Sequence, residues 1–295
     1  MSLISYFRKA ALAGSLARRR KVKLGDKVYR VKGLFPNILA LRTAAHWHQK
    51  EPELDGVFRS ILQCREGAFL DVGANLGQTM FKILALDSRR RYIGFEPQVA
   101  CCFMIQRFLD ENHITNFTIL PVGLSNTDRF TEILGGQTDY GAIASVVDGF
   151  RPDSFYSSRR YVCLRKGDDV ISEVGVNSVC AIKVDVEGAE LEVFEGLLST
   201  IKRNMPFLIF EVVNHFLAVT ASKLGDEMLR FRQLRIEKLE NLLRQLGYEI
   251  FNILPGNELN NIGKIMTVVS DDLSLTNYLA APKPGVDAFL KVFHG

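Results

Sequence analysis

Apolar residues recur along this chain with two periods, and the alternation between them outlines the fold. Leu54, Val57, Phe58, Ile61 and Leu62 share one helical face ahead of a buried strand that ends Phe69-Leu70-Asp71-Val72. Met80, Phe81, Ile83, Leu84 and Leu86 predict the next helix, Arg91 to Glu96 a second strand, and Ala100, Cys101, Met104, Ile105, Phe108 and Leu109 another helix. A third strand follows at Phe117 to Val122, and a fourth and fifth at Val179 to Val184 and Phe207 to Val213, flanking a helix from Gly188 to Arg203. A charged helix from Asp226 to Gly247 precedes final strands at Tyr248 to Ile253 and Tyr278 to Ala281. Residues 123 to 165 break the rhythm: Gly135, Gly136, Gly141 and Gly149 punctuate short apolar runs and predict a β-rich excursion.

Strands alternating with helices predict an α/β fold with a doubly wound, mainly parallel sheet that binds ligands at its carboxyl edge. Residues 51–283 read as one domain. Residues 1–50 read as a basic, partly helical extension and residues 284–295 as a tail or short helix.

Composition changes this picture in one place. The chain of 295 residues carries a formal net charge of +4, yet residues 1–32 hold ten Lys or Arg against Asp26 alone, which is +9 and leaves −5 for the remainder. Leu3, Ile4, Phe7, Ala11 and Leu12 fall at helical spacing before the cluster Arg18 to Lys23. Residues 3–23 are therefore expected to lie on an anionic membrane surface, or else to be a solvated arm. No apolar run nears the roughly 20 residues that span a bilayer. The five cysteines include the adjacent Cys101 and Cys102 and form no CxxC pair, which fits a reducing, cytoplasmic setting and suggests no metal site. His46 and His48 lack an identifiable third ligand.

The candidate chemistry sits in three stretches. Gly73, Asn75 and Gly77 make a tight turn from the first strand into a helix, where backbone approaches a ligand closely. Glu96 closes the second strand, about 20 residues on, where a carboxylate takes ribose hydroxyls. A dinucleotide fingerprint wants glycine at positions 75 and 78, which hold Asn75 and Gln78. With Asp71 beside the turn, a sulfonium nucleoside fits better than a diphosphate. In Ile182-Lys183-Val184-Asp185-Val186-Glu187-Gly188, strand alternation turns Lys183 and Asp185 away from the side taken by Ile182 and Val184. Asp185 is expected in the reaction cleft, orienting a nucleophile or accepting its proton. The competing reading makes Asp185 or Glu187 a helix cap. His215, just beyond the fifth strand, is the second candidate base.

The motif set Asp71-Val72-Gly73-Ala74-Asn75-Leu76-Gly77, Phe95-Glu96-Pro97, Gly123-Leu124-Ser125 and Lys183 to Glu190, with Glu51-Pro52 ahead and Glu211 behind, resembles the FkbM-type methyltransferases across roughly residues 51–283. The resemblance implies a class I, Rossmann-like fold and S-adenosylmethionine as cofactor. It assigns Asp71, Gly73, Asn75, Gly77 and Glu96 to holding it, with Ser125 and Asn126 near the adenine. Known relatives methylate hydroxyls, so the implied acceptor is a hydroxyl of a sugar, glycolipid or related product. An RNA acceptor has only the basic arm in its favour, and the Asn/Asp-Pro-Pro-Phe/Tyr motif of many base methylators is missing; a non-catalytic binding protein is the remaining rival. The family often carries leucine directly before the Asp-Asp that precedes the fourth strand, whereas here Arg165-Lys166-Gly167 separate Leu164 from Asp168-Asp169. Calorimetry is expected to show binding of S-adenosylhomocysteine and none of NAD; tight NAD binding with no response to S-adenosylhomocysteine would overturn the cofactor reading.

Overall fold

A computed structural model describes residues 18–24, 26–33, 51–135, 144–147, 156–212, 226–265 and 275–294. Its centre is an eight-stranded sheet in the order β12-β11-β13-β10-β9-β3-β4-β5. Five neighbouring strands pair in parallel: β3 (Ala68–Val72), β4 (Tyr92–Phe95), β5 (Phe117–Leu120), β9 (Val179–Val184) and β10 (Phe207–Glu211). β13 (Asn277–Pro282) enters antiparallel between β10 and β11 (Tyr248–Leu254), and β12 (Glu258–Asn261) hairpins onto β11. Because β13 runs against β10, its first residues stand at the carboxyl edge of the parallel strands.

Both sheet faces are covered, so the central strands are buried at every position rather than alternating, Asp71 and Lys183 being the charged exceptions to an apolar run. On one face pack α1 (Pro52–Cys64), α2 (Gln78–Leu86), α3 (Val99–Glu111) and α8 (Val286–His294). On the other pack α4 (Gly167–Glu173), α5 (Glu190–Gly196), α6 (Leu198–Asn204) and α7 (Asp226–Gln245). α8 belongs to the core: Phe289 is buried 4.9 Å, centroid to centroid, from Phe207. The glycine-punctuated excursion contains a second sheet of β6 (Gly123–Ser125), β7 (Arg129–Gly135) and β8 (Ser158–Lys166).

Two local expectations need correction. The helix expected over residues 188–203 is two helices, broken at Leu197. Gly196 lies so close to β6 that a β-carbon there would stand 1.9 Å from the Ser125 carbonyl oxygen. A fresh helix then starts under a distant cap, with the Asp168 carboxylate accepting the N–H groups of Ser199 and Thr200, both at 2.8 Å. The departure at Asp168-Asp169 thus supplies a cap.

The second correction concerns the basic extension. The helix expected over residues 3–19 lies, up to residue 17, outside the described residues, but the basic cluster is strand. β1 (Arg18–Leu24) pairs antiparallel with β2 (Lys27–Gly33). Lys21-Val22-Lys23-Leu24 alternates with period two, and Gly25-Asp26 between the strands is a hairpin signal. Val22, Leu24 and Tyr29 point into the core while Lys21, Lys23 and Lys27 face solvent. Tyr29 lies 5.7 Å from the Phe108 ring of α3. The hairpin is therefore part of the domain, and Leu24→Ala should lower stability by about 2–5 kcal/mol, the range for emptying a buried leucine site. Urea unfolding measures it; an unchanged midpoint would mean that the hairpin does not pack in solution.

Candidate active site

At the carboxyl edge of the sheet the first and third motifs cross. Gly73 has φ 89°, and a β-carbon on it would meet the Asp185 carbonyl oxygen at 1.9 Å, so only glycine lets the two backbones pass. The Asp185 N–H donates to the Val72 carbonyl at 2.9 Å, locking the crossing. Glu96 ties in the second motif. Its Oε2 accepts the Asn75 N–H and its Oε1 the Gln98 N–H, each at 2.8 Å. This buried carboxylate therefore holds the glycine turn against the end of β4.

The three motifs surround a cleft of about 650 Å³, within the usual range for a small-molecule site. Glu51, Glu53, Glu96, Asp185, Glu187 and Glu211 line it, with Lys183 as the lysine among the described lining residues. Ile133 and Leu164, from the inner face of the small sheet, add an apolar wall with Leu124. Such a lining repels phosphates and suits a cation with an apolar body.

Lys183 is buried, and its ammonium lies 2.8 Å from Asp185 Oδ2. Burial works most strongly against its charge, but Asp185, Asp71 and Glu51 together outweigh burial and hold it above the ordinary lysine value. Asp71 pairs with Lys183 in sheet register and is completely enclosed. Tyr92 donates to its Oδ2, and its Oδ1 has no hydrogen-bond partner. Burial raises Asp71 to about 6 despite the opposing pull of Lys183 and Tyr92. Glu96 is raised to about 7, again by burial.

Asp185 and Glu187 do not cap the next helix. Glu187 (φ 53°) and Gly188 (φ 106°) form a turn, Ala189 stands at the N-cap with no side-chain cap, and Glu190, the first helical residue, reaches back to accept the Gly188 N–H at 2.9 Å. Burial raises Glu190 to about 7. Arg235 of α7 clasps the same turn through the Gly188 carbonyl at 2.8 Å and the Glu192 carboxylate.

Of the residues assigned to the cofactor from sequence, Gly73, Asn75 and Glu96 line the cleft. Asp71 lies beneath its floor, and Gly77 starts α2. Ser125 is buried, and Asn126 is turned toward α5 by a 2.7 Å hydrogen bond to Glu195, while Gly123 and Leu124 reach the cleft. His215 lies outside the described residues, as do His46 and His48. Sequence reasoning gave no role to Thr276 or Asn277. Thr276 donates to Glu211 at 2.8 Å and Asn277 to Glu51 at 3.2 Å. No motif marks them; they arrive because β13 is antiparallel.

A doubly wound sheet whose last strand is inserted antiparallel, with a glycine turn, a carboxylate at the end of the second parallel strand and an acid-lined cleft at its carboxyl edge, defines a class I S-adenosylmethionine-dependent methyltransferase. Residues 71–250, more than half of the chain, match the methyltransferase FkbM domain. The protein belongs to that family, and its cofactor is S-adenosylmethionine. The AMB antimetabolite synthetase AmbE of Pseudomonas aeruginosa is 25% identical over 219 residues, which is 63% of this chain but only 10% of that much longer protein. Among solved structures, the FkbM methyltransferase of Methylobacillus flagellatus is similar at 16% identity over 83% of this chain and 59% of its own, with a TM-score of 0.45. An O-methyltransferase of Bacillus cereus, solved in complex with SAH, is similar at 11% identity over 82% of this chain and 90% of its own, with a TM-score of 0.42.

The donor set fits this cofactor. The cleft carboxylates would offset the ammonium and sulfonium charges, and Glu96, at the end of β4, would take the ribose hydroxyls. Without a ligand the same carboxyls make stability depend on pH. Asp71, Glu96 and Glu190 keep their protons to about 6, 7 and 7 in the folded chain, against ordinary values of 3.8, 4.5 and 4.5. The stability they contribute is full below those ordinary values and is lost progressively as pH rises from there through about 6 to 7. In Glu190→Gln, the fall between pH 5 and 8 should be shallower by up to about 1.4 kcal/mol per pH unit, the contribution of one proton. Urea unfolding across that range reads it, and a slope equal to the parent's would show that Glu190 is ionised when folded.

Proposed function

We propose that the protein transfers the methyl group of S-adenosylmethionine to a hydroxyl of a carbohydrate or glycolipid. The observation that carries this reading is the acid group over β9 and β10. Asp185, Glu187 and Glu211 line the part of the cleft beyond the glycine turn and Glu96. Carboxylates there are hydrogen-bond acceptors suited to sugar hydroxyls. They would repel the phosphates of RNA, which weighs against a nucleic-acid acceptor despite the basic hairpin.

When bound, S-adenosylmethionine supplies an electrophilic methyl group. The chain's part is to hold the acceptor oxygen in line with it, since alignment supplies much of the rate in a two-substrate step. Asp185, fixed by Lys183, is well placed to hold that hydroxyl. His215 stands as a second candidate from sequence alone. A glycolipid acceptor would also give the exposed Lys21 and Lys23, with the rest of residues 3–23, a role at an anionic membrane surface on the cytoplasmic side. Among the described residues no helix is long and apolar enough to cross a membrane.

Labelled S-adenosylmethionine offered with sugars, glycolipids and RNA in parallel tests the acceptor class, and label is expected in the first two. In that assay Asp185→Asn should lower turnover by about 10²-fold with cofactor affinity nearly unchanged, as for a misplaced reacting group. Label in RNA alone would refute the proposal.

A further inference from the structure

Asp185 and Glu211 both face the acceptor side of the cleft, but their surroundings differ. Asp185 is already paired with the buried Lys183 ammonium at 2.8 Å. That ion pair commits an oxygen of the carboxylate to Lys183 and fixes its orientation. Glu211, the last residue of β10, is half-buried at the cleft wall and accepts one hydrogen bond on Oε1 from Thr276. The groups around it are Lys183, Asp185 and Glu187 from β9 and the turn after it, and Thr276 from the start of β13. Glu51, at the head of α1, completes this acidic corner through Asn277.

Position agrees with a reacting role. In the order β4-β3-β9-β10, Glu211 lies three strand spacings from the ribose-binding end at Glu96, roughly 14 Å. That distance leaves room for a ribose, a sulfonium and an acceptor oxygen in line.

We infer that Glu211 takes the proton of the methylated hydroxyl, and that the positive charge of the methyl donor is what readies it to do so. The first half rests on the hydroxyl acceptor proposed above; the second does not. In the ligand-free cleft, burial, and then the charges of Asp185 and Glu187, hold Glu211 in its protonated form well above the ordinary glutamate value, with Thr276 and Lys183 opposing. A cation entering within about 4–6 Å favours the ionised form by roughly 10- to 1000-fold. The proton leaves as the donor binds. In transfer, the oxygen–methyl bond forms as the sulfur–methyl bond breaks, the sulfur keeps the bonding pair and becomes neutral, and the hydroxyl proton passes to Glu211. One positive and one negative charge vanish together, so the cleft ends with the net charge it had. With the sulfonium charge gone, the surroundings of Glu211 again favour the proton it has just taken.

The test needs no acceptor. Full-length protein is titrated at about pH 7 with S-adenosylmethionine and, separately, with S-adenosylhomocysteine, in phosphate and in Tris, so that buffer ionisation heats reveal protons exchanged. The methyl donor should release more protons than its neutral product, by a sizeable fraction of one proton per site. Glu211→Gln should bind both ligands with that difference abolished, and Glu211→Asp, which still titrates, should keep it. Equal release in the parent protein, or a difference that survives in Glu211→Gln, overturns the inference. Should Glu211→Gln fail to fold, loss of the difference in Glu211→Asp would overturn it equally. If the difference appears while no hydroxyl compound is methylated, the acceptor reading has failed and the charge linkage stands.

Discussion

A carboxylate enclosed by protein must be neutralised, either by a proton or by a neighbouring cation. The carboxyl edge of this sheet crowds carboxylates together, and Lys183 is the buried cation set among them. It stands in register beside the sealed Asp71 on the neighbouring strand, and its ammonium pairs with Asp185 at the cleft. Removing it would take from both acids the cation that offsets their charge, leaving Asp71 with Tyr92 alone. The end of β9 and the cleft floor thus share one electrostatic anchor, and Asp185 and Glu211 stand at strand ends.

The arrangement also explains why the cleft tolerates so many acids. Asp185 is paired with the Lys183 ammonium, while Asp71, Glu96 and Glu190, held by burial, keep their protons to about 6, 7 and 7. Glu96 and Glu190 belong to the second kind, and each also fixes backbone: the glycine turn in one case, the turn before α5 in the other. On the linkage proposed for Glu211, a cationic nucleoside would be met by loss of a proton from that carboxyl. Preorganised charge of this kind costs little rearrangement when the ligand arrives.

Much of this was legible in the chain. Buried strands announced themselves as apolar runs, and the glycine turn, Glu96 and Asp185 stood at strand ends where a doubly wound sheet puts its ligand. What stayed hidden depends on contacts that no local pattern encodes. The break at Leu197 comes from the close passage of Gly196 over β6 and from a cap 31 residues away in sequence. Thr276 and Asn277 reach the site through strand order alone. The hairpin was hidden differently: charge drew attention to a run whose period-two alternation was the better guide.

The antiparallel entry of β13 has a consequence for how the molecule comes into being. The hydrogen bond from Asn277 to Glu51 joins residues 226 positions apart, and Thr276 reaches back 65 positions to Glu211. Contacts of such separation form late, because a long loop must close before they contribute. On the ribosome, residues 71–98 emerge long before the strand that finishes the opposite wall. The nucleoside half of the cleft can therefore take shape on a nascent chain while the half that meets the acceptor does not yet exist.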